Sequence, residues 1–252
     1  MRFALLLCLM VPLLAQSPKA PTTPAAAPPV AAKASTAAAA RPAPAGAKIR
    51  RDPKDGLTYI WVAPGTFALG CPPDDPDCYS WEATPHAVSI RNGFWIGQTE
   101  VTQTAYQTVT NVNPSRDRAP GLPVNGVSWY AARSFCASTG KRLPTEDEWE
   151  FAARALNPAP IYGPVDTVAW YLGNSLNAPH PVSLKAANKL GLHDMLGNLW
   201  EWTEDAYTPI PGMRILRGGG FLNAARDIRV SNRLWASPDS VNRDMGFRCV
   251  AD

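Results

Sequence analysis

The stretch from Gly191 to Trp202 contains the residues whose types and spacing best fit a chemical role. Asp194 and Glu201 are hard oxygen donors, and they lie on either side of Gly197. Because glycine has no side chain, the backbone can bend there and let carbonyl oxygens join the two carboxylates. Calcium accepts carboxylate and carbonyl oxygens at ~2.3–2.6 Å. The spacing therefore indicates a calcium site, and the alternative is a loop whose two acids are solvated.

Sequence patterns of other catalytic and metal sites do not occur in the chain. The three histidines, His86, His180 and His193, show no HxH, HExxH or HxxxH spacing. There is no GxSxG pattern, no P-loop, and no GxGxxG after a strand. The glycines at 218–220 are not followed by a helix-forming run with a phosphate-binding lysine, so we interpret them as a tight backbone turn.

The charge of the chain argues against nucleic acid as a partner. The sequence has 24 Lys+Arg and 21 Asp+Glu, but four of the bases, Arg2, Lys19, Lys33 and Arg41, precede residue 48. The rest of the chain therefore has 20 bases against 21 acids. A nucleic-acid-binding domain would carry excess bases on its folded part, where they displace phosphate counterions.

The first 50 residues have the composition of a targeting segment and a spacer. As a helix, the apolar run Phe3–Ala15 would span only ~20 Å of the ~30 Å bilayer core, so residues 1–15 are interpreted as a signal peptide. Residues 16–47 contain 14 Ala and 7 Pro, and repeated proline prevents a helix, so 16–50 are expected to form a disordered linker. The folded domain is expected at 51–252, secreted or periplasmic and not transmembrane after signal cleavage. The sequence leaves open whether the signal is cleaved or retained as an anchor.

The cysteine content agrees with export. Apart from Cys8 in the apolar run, the chain has Cys71, Cys78, Cys136 and Cys249. An even number is typical of disulfides in an oxidising compartment. No pair has CxxC spacing, so a zinc cluster is not supported.

Helix signals are concentrated in the first half of the domain. Thr145 and Glu148 form a capping box, which predicts a helix from about Glu146 to Ala155. A second helix is predicted from Ser128 to Ala137, and a third is predicted to begin at Thr102. The side chains that should face inward from the second helix are Trp129, Ala132, Phe135 and Cys136.

Beyond residue 160, short apolar pieces alternate with Gly, Pro and Asn, which is typical of short strands joined by long loops. Strands are predicted at 215–216, 221–222, 228–230 and 246–250. Regular secondary structure is therefore expected to be sparse.

Seven sequence blocks occur in the order typical of one known family. They are Trp61–Phe67, Glu100–Thr102, Pro123–Trp129, Gly140–Arg154, Gly191–Trp202, Leu216–Phe221 and Gly246–Cys249. Together they resemble the formylglycine-generating enzyme, or sulfatase-modifying factor, family, over nearly the whole domain from about Gly56 to Asp252. The resemblance implies an α+β fold of the C-type-lectin-like class, with little regular secondary structure.

The resemblance also implies a metal site and two disulfides. A structural calcium ion is expected where the family uses two side chains and, between them, two carbonyls, at Asp194, Gly197, Leu199 and Glu201. The family places cysteines next to each other at the positions of Cys136 and Cys249. That pairing leaves Cys71 and Cys78 for a second disulfide.

The catalytic part of the family pattern is missing from this sequence. Family oxidases convert a sulfatase cysteine to formylglycine with copper(I) held by two cysteines, which follow the serine of a Gly-Gly-Ser motif. Gly220 stands at the serine position, Asn223 at the first cysteine position and Ile228 at the second. Copper(I) is a soft ion that prefers thiolates, so no copper is expected here.

These observations favour a non-catalytic exported module, for binding or for structure, over an enzyme. The alternative, which rests on the family match alone, is a formylglycine-generating oxidase or a related protein-modifying oxidoreductase with an altered active site. A possible binding groove with an aromatic floor and polar edges is predicted around Trp200, Phe221, Asn223 and Arg226. The expected partner is an unknown protein, peptide or glycan of the cell envelope.

Overall fold

The computed structural model describes residues 48–252, so the predicted signal peptide and residues 16–47 of the predicted linker lie outside the described part. The first strand, β1 (Ile49–Arg51), is antiparallel to β2 (Thr58–Val62). Because Ile49 already lies opposite Ile60, the folded part begins before residue 51. The predicted boundary between linker and domain is therefore too late.

Two antiparallel sheets contain the strands of the N-terminal part. The first sheet has the order β1-β2-β5-β10, where β5 is Phe94–Gly97 and β10 is Val250–Ala251. The second sheet has two strands, β3 (Gly65–Leu69) and β4 (His86–Ile90). The first sheet thus joins both ends of the domain.

The third sheet has the order β8-β7-β6-β9 and carries most of the site described below. Strand β6 (Trp200–Ala206) is antiparallel to β7 (Arg214–Arg217), and β7 is antiparallel to β8 (Arg233–Ala236). The short strand β9 (Met245–Gly246) is parallel to β6.

Three helices begin where the sequence predicts them. They are α1 (Gln103–Thr110), α2 (Trp129–Ser138) and α3 (Glu146–Arg154), and the side chains of Thr102, Ser128 and Thr145 cap their N-termini. The capping box of α3 is present. All four residues predicted to face inward from α2 are buried.

One further helix was not predicted from the sequence. The single turn α4 (Val165–Val168) follows Pro164 and has no side-chain cap, so its sequence carries no start signal. Within residues 48–252, no helix is long and apolar enough to cross a bilayer.

The strand predictions are only partly confirmed. Residues 215–216 lie in β7, as predicted. The strands predicted at 221–222 and 228–230 are wrong, because Asn223 closes a turn and a short 3₁₀ helix, Ala225–Asp227, comes before Ile228. Only the ends of 246–250 lie in strands.

Two apolar clusters form the core. One surrounds α1 and α2, where the ring of Tyr106 stacks on Phe135 with centroids 5.2 Å apart and Phe247 lies edge-on to both. The other surrounds Trp149 of α3 and the strand residue Phe94. The mixed α+β architecture with short elements confirms the predicted fold class.

Both expected disulfides are present. Cys136 in α2 is joined to Cys249 in the segment before β10, with Cα atoms 5.6 Å apart, and both residues are buried. Cys71 and Cys78 are joined in the loop after β3, with Cα atoms 5.8 Å apart.

Candidate functional site

The turn that follows β7 occupies the position of the family's catalytic serine and first copper cysteine. Gly218 and Gly219 both have positive φ, 96° and 80°, which confirms the predicted tight turn. The Asn223 side-chain oxygen accepts a hydrogen bond of 2.9 Å from the Gly220 N–H, and the Asn223 N–H donates to the Gly220 carbonyl. The Asn223 side chain therefore holds this turn closed.

Ile228, at the position of the second copper cysteine, is a core residue. Its side chain is fully buried in the apolar cluster around Trp149. It also packs closely under the turn, since a Cβ atom on Gly219 would lie 2.7 Å from the Ile228 Cδ1 atom. Ile228 therefore contributes packing and offers no ligand atom.

No free thiolate is available to a soft metal ion within residues 48–252. All four cysteines in this part of the chain are in disulfides. Cys71, Asp75 and Cys78 bring possible ligand atoms together, but the two sulfur atoms are bonded to each other.

The predicted binding groove does not present its aromatic residues to solvent. Phe221 is fully buried and Trp200 is 3% exposed. The Arg243 guanidinium covers the Phe221 ring at 5.0 Å from its centroid. Asn223 is half-buried and Arg226 is exposed. The predicted aromatic floor is thus part of the interior, because the chain turns inward after Gly220.

A different set of aromatic side chains forms a row that runs from the surface at Trp81 to the buried ring of Tyr207. Tyr79 stacks on Trp81 with ring centroids 4.3 Å apart, and Trp81 lies edge-on to Trp235 at 6.1 Å. Trp235 in turn stacks on Tyr207 at 4.3 Å. Trp81 is 38% exposed. Sequence reasoning missed this row because its residues come from three separate segments.

Glu201, one predicted calcium ligand, is also half of a buried ion pair. Its two carboxylate oxygens accept hydrogen bonds of 2.7 Å from the Arg248 Nη2 and Nε groups. The Trp149 indole N–H donates a further bond of 2.8 Å to the same carboxylate. Oε2 accepts two of these three bonds and Oε1 accepts one, so only Oε1 keeps a free lone pair for a cation.

Asp194, the other predicted side-chain ligand, is buried and only half satisfied. Its Oδ2 atom accepts a hydrogen bond of 2.7 Å from the Ser183 N–H. Its Oδ1 atom is buried and has no hydrogen-bond partner among the described residues. A buried polar atom without a partner destabilises the folded state unless a proton or a cation satisfies it. Burial is the main cause that raises the pKa of the Asp194 carboxyl.

The backbone between these two acids is held by Glu100, a residue to which sequence reasoning assigned no role. The buried Glu100 carboxylate accepts hydrogen bonds from the Asn198 side-chain amide at 2.9 Å and from the Leu199 N–H at 3.0 Å. Gly197 has a φ of 75°, and a Cβ atom there would lie 2.3 Å from the Trp170 carbonyl oxygen. Only glycine fits this bend.

The cluster has more acidic groups than basic ones. Glu100, Asp194 and Glu201 face a single guanidinium, that of Arg248, and all four residues are buried. Burial, followed by the charges of Asp194 and Glu201, holds the pKa of the Glu100 carboxyl well above its usual range. These acids supply hard oxygen atoms, which is the donor type that calcium prefers.

The chain belongs to the sulfatase-modifying factor family, because residues 46–252 match the family described as "Sulfatase-modifying factor enzyme 1-like domain". The fold, the order of the sequence blocks and this match agree with each other. The resemblance found in the sequence is therefore confirmed.

Individual relatives differ in what their names say about activity. The chain is 37% identical over 151 residues to "Inactive C-alpha-formylglycine-generating enzyme 2" of Mus musculus, covering 52% of this chain and 49% of that protein. It is 33% identical over 168 residues to the "Formylglycine-generating enzyme" of Streptomyces coelicolor, covering 53% of this chain and 54% of that protein. The chain spans about half the length of these curated relatives.

Solved structures with the same fold cover most of the described chain. The structure is similar to PvdO from Pseudomonas aeruginosa, with a TM-score of 0.72 and 25% identity over 81% of this chain and 98% of that one. It is also similar to Treponema denticola variable protein 1, with a TM-score of 0.69 and 25% identity. That match covers 82% of this chain and 99% of the other. The C-type-lectin-like fold expected for the family is thus confirmed.

Proposed function

We propose that this chain is an exported family member that has lost the oxidase reaction and acts as a binding or structural module. The observation that carries the proposal is the chemistry of the two copper positions. Asn223 is used to close a turn, and Ile228 is buried in the core. Neither residue supplies the thiolate that copper(I) prefers.

Two further observations support this proposal. The disulfides within residues 48–252 are of the kind that persists in oxidising compartments, which supports a secreted or periplasmic location. The mouse relative carries the word "inactive" in its name, so loss of activity has a precedent in the family.

A copper(I) titration tests the proposed loss of oxidase chemistry. The parent protein should not bind copper tightly. It should also leave the cysteine of a peptide with a Cys-x-Pro-x-Arg motif unconverted, as measured by mass spectrometry of the peptide after incubation. An Asn223→Cys/Ile228→Cys variant should take up copper, because it restores both thiolates on the same backbone. The matched control is Asn223→Ser/Ile228→Ser, which carries oxygen in place of sulfur and should not take up copper.

Two results would contradict the proposal. One is tight copper binding by the parent protein, and the other is cysteine oxidation in the peptide incubated with it. Either would favour the alternative, an oxidoreductase with an altered active site.

We propose in addition that Asp194, Gly197, Leu199 and Glu201 hold a structural calcium ion. The support is the excess of buried acids over bases and the Asp194 Oδ1 atom, which has no partner among the described residues. A bound ion would favour the ionised form of these carboxyls and hold the backbone between Asp194 and Glu201. At a free concentration ~100 times the dissociation constant it would add about 2.7 kcal/mol to the free energy of unfolding.

Chelation tests the calcium proposal. A chelator should lower the melting temperature of the parent, and Asp194→Asn should remove most of this response. Glu201 is left intact because it also pairs with Arg248, whose loss would destabilise the fold with or without calcium. Asp239→Asn, at an exposed acid, is the control. The site is elsewhere or absent if Asp194→Asn responds to the chelator as the parent does.

We assign partner binding to the aromatic row of Tyr79, Trp81, Trp235 and Tyr207, since the groove predicted from the sequence is buried. The exposed ring of Trp81 and the half-buried rings of Tyr79 and Trp235 suit a protein, peptide or glycan of the cell envelope, and the buried Tyr207 supports the Trp235 ring from the interior. Peptide and glycan arrays screened with the parent should identify ligands whose binding is lost in Trp81→Ala. Tyr130→Ala, at an exposed tyrosine of α2, should bind as the parent does. A parent that binds no member of either array contradicts the assignment.

A further inference from the structure

Strand β3 has an outer edge with which no described strand pairs. Its sheet contains only β3 and β4, so β4 covers one edge and leaves the other. In an antiparallel pair, alternate residues direct their N–H and C=O groups away from the partner strand. Within residues 48–252, the backbone of Gly65–Leu69 makes no backbone hydrogen bond besides its ladder with β4. The outer edge of β3 therefore offers free donors and acceptors to a further strand.

Other outer strands have features that β3 lacks. Charged residues and short length are common means of preventing an edge strand from pairing. Strands β1 and β8 contain arginine, and β9 and β10 are only two residues long. The hollow beside the end of β4 is lined by the charged residues Arg142, Asp147 and Glu148. The sequence of β3 is Gly-Thr-Phe-Ala-Leu, without a charge or a proline, so its edge is open to pairing.

An apolar hollow with a volume of about 440 Å³ lies along this edge. The successive residues Thr66, Phe67 and Ala68 all line it. Side chains of successive strand residues point to opposite faces, so a hollow lined by three in a row lies at the edge of the strand. No residue of β4 lines it, which places it on the outer side of β3. Its volume falls within the ~300–1,000 Å³ range of ligand-binding clefts.

Leu156, directly after α3, presents a large apolar side chain to this hollow. The side chain is 77% exposed, and the backbone holds it at a φ of 64°, after Ala155 at 47°. Such values are uncommon for residues other than glycine. The fold therefore keeps Leu156 at the surface, opposite the free edge of β3, rather than in the core.

The free charges in the loop beside the hollow are acidic. Of the three aspartates in the loop after β3, only Asp75 forms an ion pair within the described residues. Asp74 and Asp77 are exposed. Arg154, which lines the hollow, is buried and already ion-paired. A segment that enters here meets free backbone groups, apolar side chains and negative charge.

We propose that β3 binds an extended peptide of a partner protein as a third strand of its sheet. The peptide backbone pairs with the outer edge of β3, alternate apolar side chains enter the hollow, and a basic residue at one end lies near Asp74 and Asp77. At ~3.3 Å per residue, the five residues of β3 offer about 17 Å of edge, which is the length of a peptide of five or six residues. None of the residues that line the hollow belongs to the aromatic row, so the two surfaces are tested independently.

A peptide array tests the proposal. Its members are acetylated and amidated hexapeptides with Lys first, an apolar residue at the second, fourth and sixth positions, and Ser or Thr between them. The parent protein should bind members of this array. In the complex, hydrogen exchange should slow at the amides of alternate residues of Gly65–Leu69, because these amides gain acceptors.

Two N-methylated forms of a bound peptide provide the matched control. One form is methylated at the amides of the second and fourth positions, and the other at the third and fifth. The amides of one set face β3, and methylation there should weaken binding about tenfold, which corresponds to ~1.4 kcal/mol. The other set faces away from β3, so that form should bind as the unmodified peptide does.

The protein variant Leu156→Asn tests the contribution of the hollow. Asparagine tolerates a positive φ, so the backbone should be preserved. Loss of the apolar contact should weaken peptide binding about fivefold. The control is Leu176→Asn, at another exposed leucine with positive φ, 55°, outside the hollow. It should bind the peptide as the parent does.

Four results would overturn the proposal. The first is that no member of the array binds at ~1 mM peptide. The second is equal binding of the two N-methylated forms, because strand pairing must distinguish them. The third is equal binding by Leu156→Asn and Leu176→Asn. The fourth is loss of hexapeptide binding in Trp81→Ala, which would place the peptide on the aromatic row instead.

Discussion

The Glu201 carboxylate has two candidate roles, and the ion pair with Arg248 is the one that the structure describes. Both side chains are buried, and three hydrogen bonds of 2.7–2.8 Å satisfy the carboxylate. Breaking such a pair leaves an uncompensated charge in the interior, which is more costly than the pair itself is stabilising.

We therefore expect Glu201→Ala to lower the free energy of unfolding by about 3–5 kcal/mol. Arg133→Ala removes the exposed ion pair with Glu204 and should change the free energy of unfolding by less than ~1 kcal/mol. Urea denaturation of both variants measures the difference. Similar losses in the two variants would mean that burial does not determine the strength of the Glu201 pair.

His180 makes stability depend on pH. Its ring stacks on Trp170 with centroids 3.7 Å apart, and its Nε2 atom lies 2.9 Å from the Ser175 carbonyl. Burial is the main cause that lowers the pKa of His180. A histidine with a lowered folded pKa contributes stability that is present above its unfolded pKa and is lost as pH falls through the folded value.

The free energy of unfolding of the parent should therefore fall as pH decreases below ~6.5, the usual histidine pKa. His180→Phe keeps a ring on Trp170 and cannot be protonated, so its curve should be flatter in this range. Urea denaturation at a series of pH values measures both curves. Parallel curves would exclude His180 as the source of the pH dependence.

At the scale of elements, α3 is specified by its own sequence. Thr145 accepts from the Glu148 N–H at 3.2 Å, and the Glu148 carboxylate accepts from the Thr145 N–H at 2.9 Å. The same helix carries Trp149, whose indole N–H bonds to Glu201. The cap therefore helps to position a side chain of the candidate calcium site.

Thr145→Ala should lower the free energy of unfolding by ~1 kcal/mol, because the N-terminal amides of α3 lose their acceptor. Thr108→Ala, at an exposed position within α1, is the control and should change it by less than ~0.5 kcal/mol. Thermal or urea unfolding compares the variants. A loss for Thr108→Ala as large as that for Thr145→Ala would show that the cap is not the cause.

At the scale of the whole molecule, the two disulfides close loops of very different length. The Cys136–Cys249 bond joins residues 113 positions apart, and the Cys71–Cys78 bond joins residues 7 positions apart. A disulfide stabilises the fold by restricting the conformations of the unfolded chain, and this stabilisation is larger when the closed loop is longer.

Cys136→Ser/Cys249→Ser should therefore lower the free energy of unfolding by about 4.8 kcal/mol, and Cys71→Ser/Cys78→Ser by about 2.4 kcal/mol. Urea denaturation of the two double variants gives both values. The opposite order would show that the short loop stabilises the native state through its local contacts rather than through chain entropy.

The sequence by itself determined the features whose interactions are local or covalent. The starts of α1, α2 and α3 were predictable because each cap joins residues three positions apart. The loss of both copper cysteines is visible directly at Asn223 and Ile228. The order of the sequence blocks was sufficient for the fold class and for the disulfide pairing.

Only the tertiary structure decided how the site residues are used. Glu201 pairs with Arg248 across 47 positions, and Glu100 holds Asn198 across 98 positions. Phe221, expected in an open groove, is buried instead. Burial and charge pairing depend on which distant segments pack together, and short-range sequence patterns carry no information about that packing.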